Sequence, residues 1–385
     1  MRKIFVCAIL LLTWGFSLLA KNGKQGEVQI IPLLSEEEIQ PCCTAGRPDP
    51  DADRITKIKR VPPHRYVDDL TMNRLKEEAF TMPGQVRGIP ISFFDDTKLQ
   101  AAAPPVVKRF DGLNFFNDPG FPPDTIVAAG PSHVLEATNS GLRLSSKDNT
   151  NVQVATTPEF FARPNKFLFD PKVYFDRISN RFFAIILEFD TSPRTSIIHL
   201  AISRSPTPSS LSSGWCRYRF SGLASGSAAD FPGLGMNENW LAVTSNNFRF
   251  SDDQFDRSLI KVVNKSVLVN NTNSCSAIRV FSYSNAESFT IQPALHYTAS
   301  NLSGNPLFMV STVFGTSNIY ELWRIKGPVG SRPTLTKTNV TGQTYSIPPN
   351  AKHKGTGVLY DTGRQPDASC CISQWVTLEF FFNRL

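Results

Sequence analysis

The chain has 385 residues, of which 41% are hydrophobic, 11% aromatic and 19% charged, with a formal net charge of +7. That apolar content supports one large or two ordinary domains and excludes a globally disordered chain. Basic residues are scattered apart from the short run Lys57-Ile-Lys-Arg60, so no nucleic-acid footprint is present.

Arg2 and Lys3 precede an apolar run from Ile4 to Ala20 that turns polar at Lys21. This is the layout of a cleavable signal peptide over residues 1–20. The run is short for a membrane anchor, and small residues near its end favour cleavage. The expected location is therefore periplasmic or extracellular, with no transmembrane span after cleavage.

Residues 21–107 contain Ser35-Glu-Glu-Glu38, Arg47-Pro-Asp-Pro-Asp-Ala-Asp53 and Val61-Pro-Pro-His64, with poor apolar periodicity. A flexible leader is expected, with one short helix over 68–80. A pro-segment packed on the main domain is the other reading.

From 108 the pattern becomes strongly β. Short strands at 133–138, 142–146 and 151–156 are separated by Ser140-Gly141 and Lys147-Asp-Asn-Thr150. A second set falls at 173–175, 181–189, 196–203 and 215–220. A third falls at 240–244, 259–263 and 277–283, and a fourth at 307–314 and 319–325. Each set opens on a proline beside an acid or amide: Pro123-Asp124, Asp170-Pro171, Asp230-Phe-Pro232 and Gln292-Pro293. Successive prolines lie 48, 61 and 61 residues apart. Repeats of this period with four strands each fit an all-β fold of the β-propeller type better than a sandwich or solenoid. Near-continuous apolar strands such as Phe182-Phe-Ala-Ile-Ile-Leu187 suit sheets buried on both faces.

The segments Phe110-Asp-Gly112, Asn117-Asp-Pro-Gly120, Pro122-Pro-Asp124 and Gly130-Pro-Ser-His133 resemble the first blade of a family of exported bacterial proteins, largely uncharacterised. Asp170-Pro-Lys-Val173, Asp230-Phe-Pro-Gly-Leu-Gly235 and Gln292-Pro-Ala294 resemble its next three blades. Gly357-Val-Leu-Tyr-Asp-Thr-Gly363 resembles the start of a fifth. The resemblance implies a sialidase-like β-propeller over 108–363, with four recognisable four-stranded blades and a partial fifth. It implies little about activity, because one fold hosts many functions. Residues 364–385 depart from the pattern at Arg364-Gln-Pro-Asp-Ala-Ser-Cys-Cys371 and Phe380-Phe-Phe-Asn-Arg-Leu385. A frameshift accounts for this aberrant tail; a divergent natural tail is the alternative. Either way the propeller reads as incomplete.

Export permits disulfides. Cys216 and Cys275 lie 59 residues apart, close to the repeat spacing, so a bridge between adjacent repeats stands beside two separate buried thiols. The repeat openings supply the candidate ligand-binding residues Asp124, Asp170, Asp230 and Gln292, joined by Asp361 in the partial fifth repeat. Placed around one axis, they form an acidic ring suited to a cation such as calcium, a sugar hydroxyl or a cationic ligand. The competing and favoured reading has each acid capping a turn.

No cofactor is evident, and no Cys/His spacing resembles a zinc site. His64, His133, His199, His296 and His353 are isolated. A sialidase-type site needs an arginine cluster around a tyrosine nucleophile. Tyr174, Arg163, Arg177 and Arg181 are available, but the characteristic motifs are missing. Trp215, Trp240 and Trp323 fall in expected strands as core, with a sugar-stacking platform as the alternative for one of them. The leading expectation is an exported, non-catalytic β-propeller binding a ligand, glycan or surface partner at its channel face. A sialidase-like glycoside hydrolase and a truncated, non-functional product are the alternatives.

Overall fold

The computed structural model describes residues 26–42, 106–114, 123–191, 193–224, 226–298, 302–313 and 317–345. The expected signal peptide, the helix at 68–80, Asp361 with the partial fifth repeat, and the tail lie outside the described residues.

The described chain is all-β, in four antiparallel sheets that follow the sequence repeats. Sheet 1 comprises β3 (Ile126–Ala129), β4 (His133–Ala137), β5 (Gly141–Ser146) and β6 (Gln153–Thr156). A short helix α1 (Thr157–Phe160) follows. Sheet 2 comprises β7 (Leu168–Asp176), β8 (Arg181–Thr191), β9 (Arg194–Ser203) and β10 (Trp215–Ser221). Sheet 3 contains β11 (Ser227–Met236), β12 (Trp240–Arg249), β13 (Phe255–Asn264) and, after helix α2 (Lys265–Asn270), β14 (Ile278–Asn285). Sheet 4 contains β15 (Phe289–Pro293), β16 (Leu307–Thr312), β17 (Ser317–Lys326) and β18 (Thr334–Tyr345). Within each sheet the strands pair in chain order, as hairpin connections dictate. The four leading strands β3, β7, β11 and β15 contact one another in succession.

Sheets 3 and 4 each gain a fifth strand from the N-terminal region. β1 (Val28–Ile31) pairs with β18, and β2 (Leu33–Ile39) pairs with β14. The Cys42 N–H then bonds the Arg217 carbonyl on β10. This part of the expected flexible leader is therefore an extended strap along the outer edges of sheets 4, 3 and 2. Alternation is present at 33–39, where half-buried and exposed residues take turns. The partners lie far away in sequence, so the strap's short polar-rich strand has no local sign of its sheet.

Three apolar cores lie between successive sheets, and they explain the continuous apolar runs. On β8, Phe182, Ala184 and Ile186 face sheet 1, while Phe183, Ile185 and Leu187 face sheet 3. On β12, Leu241 and Val243 face sheet 2, while Trp240 and Ala242 face sheet 4. A strand with period two thus fills two cores at once. At about 2 kcal/mol for each fully buried large aliphatic side chain, these strands dominate the stabilisation.

Covalent and ionic contacts fasten the same seams. Cys216 on β10 and Cys275 before β14 form a disulfide, joining sheets 2 and 3. Closing a loop of 59 residues contributes about 4 kcal/mol in the chain-entropy account. Lys265 at the start of α2 donates to Asp176 at the end of β7 at 2.5 Å, with both side chains buried. Asp176 also accepts the Ile178 and Ser179 amides of its turn.

A second buried cluster lies at the other end of sheet 2. After α1, Arg163 grips Glu188 of β8 with Nε at 2.7 Å and Nη2 at 2.6 Å. His199 of β9 lies 2.9 Å from Glu188 through Nε2. The histidine expected to be isolated is therefore paired. Burial pushes His199 down, so near neutrality its ring is neutral and donates to Glu188. Burial alone would raise Glu188, but the His199 and Arg163 hydrogen bonds outweigh it and hold the carboxyl at about 2.

Both shifts carry the same sign. Glu188 stabilises the fold above its unfolded value near 4.5 and loses that contribution as pH falls toward about 2. His199 adds stability that is complete above about 6.5 and declines below it. Chemical denaturation at a series of pH values is expected to show stability falling from pH 7 to pH 3. Over that window the Glu188 share is on the order of 2 kcal/mol, the rest being lost below pH 3. Glu188→Gln should flatten the lower part of that profile.

Candidate functional site

The repeat openings form a set of matching irregularities on the leading strands. Register slips between Phe169 and Lys172 on β7, between Asp230 and Gly233 on β11, and between Phe289 and Gln292 on β15. Each slip contains one residue with positive φ: Asp170 (56°), Phe231 (50°) and Thr290 (54°). Asp124, just before β3, has φ 44°. Aspartate tolerates this region, whereas an aromatic or β-branched residue is strained there.

Each bulge amide faces a neighbouring sheet and is satisfied across that seam. Asp170 N–H donates to Asn139 Oδ1 at 2.6 Å, and Asn139 Nδ2 donates to Asp124 Oδ2 at 2.8 Å. Phe231 N–H donates to Asp170 Oδ2 at 3.0 Å and to Asp230 Oδ1 at 2.9 Å. Thr290 N–H donates to Asn246 Oδ1 at 2.8 Å, while Asn246 Nδ2 returns a bond to Thr290 Oγ1 at 2.9 Å. A polar side chain of one sheet therefore pins the bulge of the next, at all three seams.

This geometry brings Asp124, Asp170 and Asp230 into one electrostatic group. Asp170 keeps some surface yet lies deep among protein atoms. Its carboxyl is raised well above the usual aspartate range by burial, then by the charges of Asp230 and Asp124. The Phe231 N–H and Lys172 act in the opposite direction. Lys172 lies over the Phe231 ring at 5.6 Å, a cation–π contact beside the acids. Tyr174, two residues farther along β7, has its hydroxyl pushed up by burial and by Tyr297.

Gln292 is not geometrically equivalent to the acids. It lies two residues beyond its bulge residue, and its Oε1 is 3.3 Å from where a Gly233 Cβ would sit. Two residues on, a Cβ at Gly235 would lie 2.5 Å from the Ala294 carbonyl oxygen, so glycine allows β11 and β15 to meet. Asp230 precedes the bulge residue Phe231, whereas Asp170 is the bulge residue itself. The prolines that align the repeats therefore do not align the acids.

The structure also places the hydrolase candidates. Arg163 lies at the Glu188 end of sheet 2, whereas Arg181 binds the Ser179 and Asn180 carbonyls at the opposite hairpin. These arginines form no cluster around Tyr174. Trp215, Trp240 and Trp323 are all buried, which removes the platform reading for them. Among the described residues, no group of three or more His, Cys, Asp or Glu side chains is arranged to hold a metal ion. A cavity of about 190 Å³ lies away from the acids, where β2 meets β14, lined in part by Glu38, Asn264 and Arg279.

Asn139, Asn246, Thr290 and Lys172 are the residues that sequence reasoning missed. Asn246 lies in the polar run Thr244-Ser-Asn-Asn247 that follows the apolar half of β12, and that change of pattern was the available signal for it. With one carboxyl raised and two others near it, the group can share a proton, donate as an acid, or attract a cationic or hydroxyl-rich ligand.

No family model matches the chain, and no curated protein matches it. Three solved chains match in structure, one being a polysaccharide lyase, Uly1, with TM-score 0.28 and 7% identity. The match covers 56% of this chain and 57% of that one, so the chain spans little more than half of the lyase. Similarity at this level carries no argument about fold or chemistry.

Asp170→Asn keeps an acceptor for Phe231 N–H and removes the carboxyl whose ionisation is disfavoured. A raised folded-state value means that wild-type stability declines as pH rises above the unfolded value. Denaturant melts at pH 8 are thus expected to show Asp170→Asn at least as stable as wild type. Asp170→Ala, which removes one acceptor of a buried amide, should lose about 1 kcal/mol.

Proposed function

We propose that this chain is an exported β-propeller, sialidase-like in architecture, that binds a polar ligand of the glycan type at its channel face without turning it over. Four repeated sheets with successive leading-strand contacts support the architecture. The observation that carries the ligand reading is the electrostatic grouping of Asp124, Asp170 and Asp230 beside Lys172. Acids and an ammonium group gathered where three leading strands meet suit a ligand with several hydroxyls.

The non-catalytic reading is supported by the hydrogen bonds these acids already make. Asp170 and Asp230 accept a backbone amide, and Asp124 accepts the Asn139 side chain. Groups committed in this way hold ligand and scaffold more readily than they transfer protons. The favoured turn-capping role and a binding role therefore share the same atoms.

Calorimetry against a panel of neutral and anionic oligosaccharides, paired with fluorogenic glycosides including sialosides, tests this reading. Saturable binding that weakens at least tenfold in Asp230→Asn, with no turnover, is expected. Glycoside turnover abolished by Tyr174→Phe or Asp124→Asn would overturn it in favour of a glycoside hydrolase.

A further inference from the structure

The outer edges of sheets 3 and 4 are both covered by one N-terminal segment. Each would end at its own fourth strand, β14 or β18, leaving a row of unpaired N–H and C=O groups. Residues 28–39 cover both rows. Register runs from Val28 opposite Thr338 to Ile31 opposite Leu335, and from Leu33 opposite Tyr283 to Ile39 opposite Ile278. Pro32 separates the two strands and marks the crossing from one sheet to the other.

The strap is anchored selectively. Ile31 and Leu33 enter the core between sheets 3 and 4 with Trp240, Phe281, Tyr283 and Trp323. Glu36 lies 3.5 Å from Arg279. Val28, Ile30 and Leu34 point outward and stay exposed. Main-chain pairing and a few inward side chains therefore hold this segment, as in strand addition to a sheet edge.

We propose that these two edges form a strand-accepting surface, and that residues 26–42 of a second copy of this chain can occupy it in place of the resident strap. Two observations select a second copy as the occupant. First, the edge reads a detailed pattern: two inward apolar residues flanking a proline crossover, then an acid, Glu36, diagonal to Arg279 and within ion-pair reach of it. The chain's own strap carries that pattern. Second, 63 residues separate Cys42 from Val106, the next described position. A connection of that length reaches roughly 200 Å at full extension, so chain length does not confine the strap to its own molecule. Reciprocal exchange of an identical element yields a closed dimer.

The test uses the full chain with a protease site inserted between residues 43 and 105. After cleavage, the strap should stay with the body through gel filtration. A fluorescent peptide of residues 26–42 should then replace it saturably, and the released strap should appear by mass spectrometry. A Leu33→Asp peptide should compete at least tenfold more weakly. Uncleaved protein held at high concentration should yield a dimer by light scattering. Val28→Cys with Thr338→Cys, which locks strap to edge, should abolish that dimer. Equal competition by the Leu33→Asp peptide, or failure of the wild-type peptide to enter, would overturn the proposal. So would a dimer that forms equally in the locked chain. These readouts do not involve the acidic face, so they stand or fall independently of the ligand reading.

Discussion

A backbone N–H at each leading-strand bulge must find an acceptor, and it finds one on the neighbouring sheet. The rest of the arrangement depends on that requirement. A bulge turns one residue into the left-handed region and aims its amide out of the local ladder. Leaving such a buried amide bare costs about 1–3 kcal/mol. Asn139, Asp170 and Asn246 supply the acceptors, one at each seam. Because the acceptor lies on a different sheet, satisfying the amide also fixes how adjacent leading strands approach. Phe231 and Thr290 tolerate an unfavourable φ because both are held from outside their own strand.

The apolar cores and the polar seams divide the work. Burial of Phe, Leu, Ile and Val between sheets supplies most of the driving force but little directional information. Buried charges give direction at specific points. Lys265 with Asp176 ties sheet 3 to one end of β7, and Arg163 with Glu188 ties α1 to the other end of sheet 2. Breaking one partner of such a pair is more damaging than never having had it, because a lone buried charge remains. The bridge from Cys216 to Cys275 adds a covalent limit at the outer edge of the same seam.

Much of this was legible in the sequence. The strands around Asp176-Arg-Ile-Ser-Asn180 follow from turn chemistry flanked by apolar runs, and β7 and β8 meet at that hairpin. The doubly apolar strands signalled sheets covered on both faces. What was not legible depends on partners far along the chain. Leu33–Ile39 reads as a polar, acid-rich stretch until β14, more than two hundred residues later, offers an edge. The acids of the candidate site were found because they recur beside prolines. Their unequal roles were hidden, because the bulge, not the proline, sets the geometry. Asn139 and Asn246 belong to no motif; a break in strand polarity hints at Asn246, and the role of each as an acceptor emerges only from the bulge amide it satisfies.

The leading strands converge at their openings, where Asp170 accepts the Phe231 N–H of the next sheet and is linked through Asn139 to Asp124. The most direct measurement is the titration of Asp170, followed by NMR on protein labelled at aspartate carboxyl carbons, in wild type and in Asp230→Asn. Convergence predicts a midpoint above the ordinary aspartate range that moves down once Asp230 is neutral. A midpoint within the ordinary range, unchanged by that substitution, would contradict it.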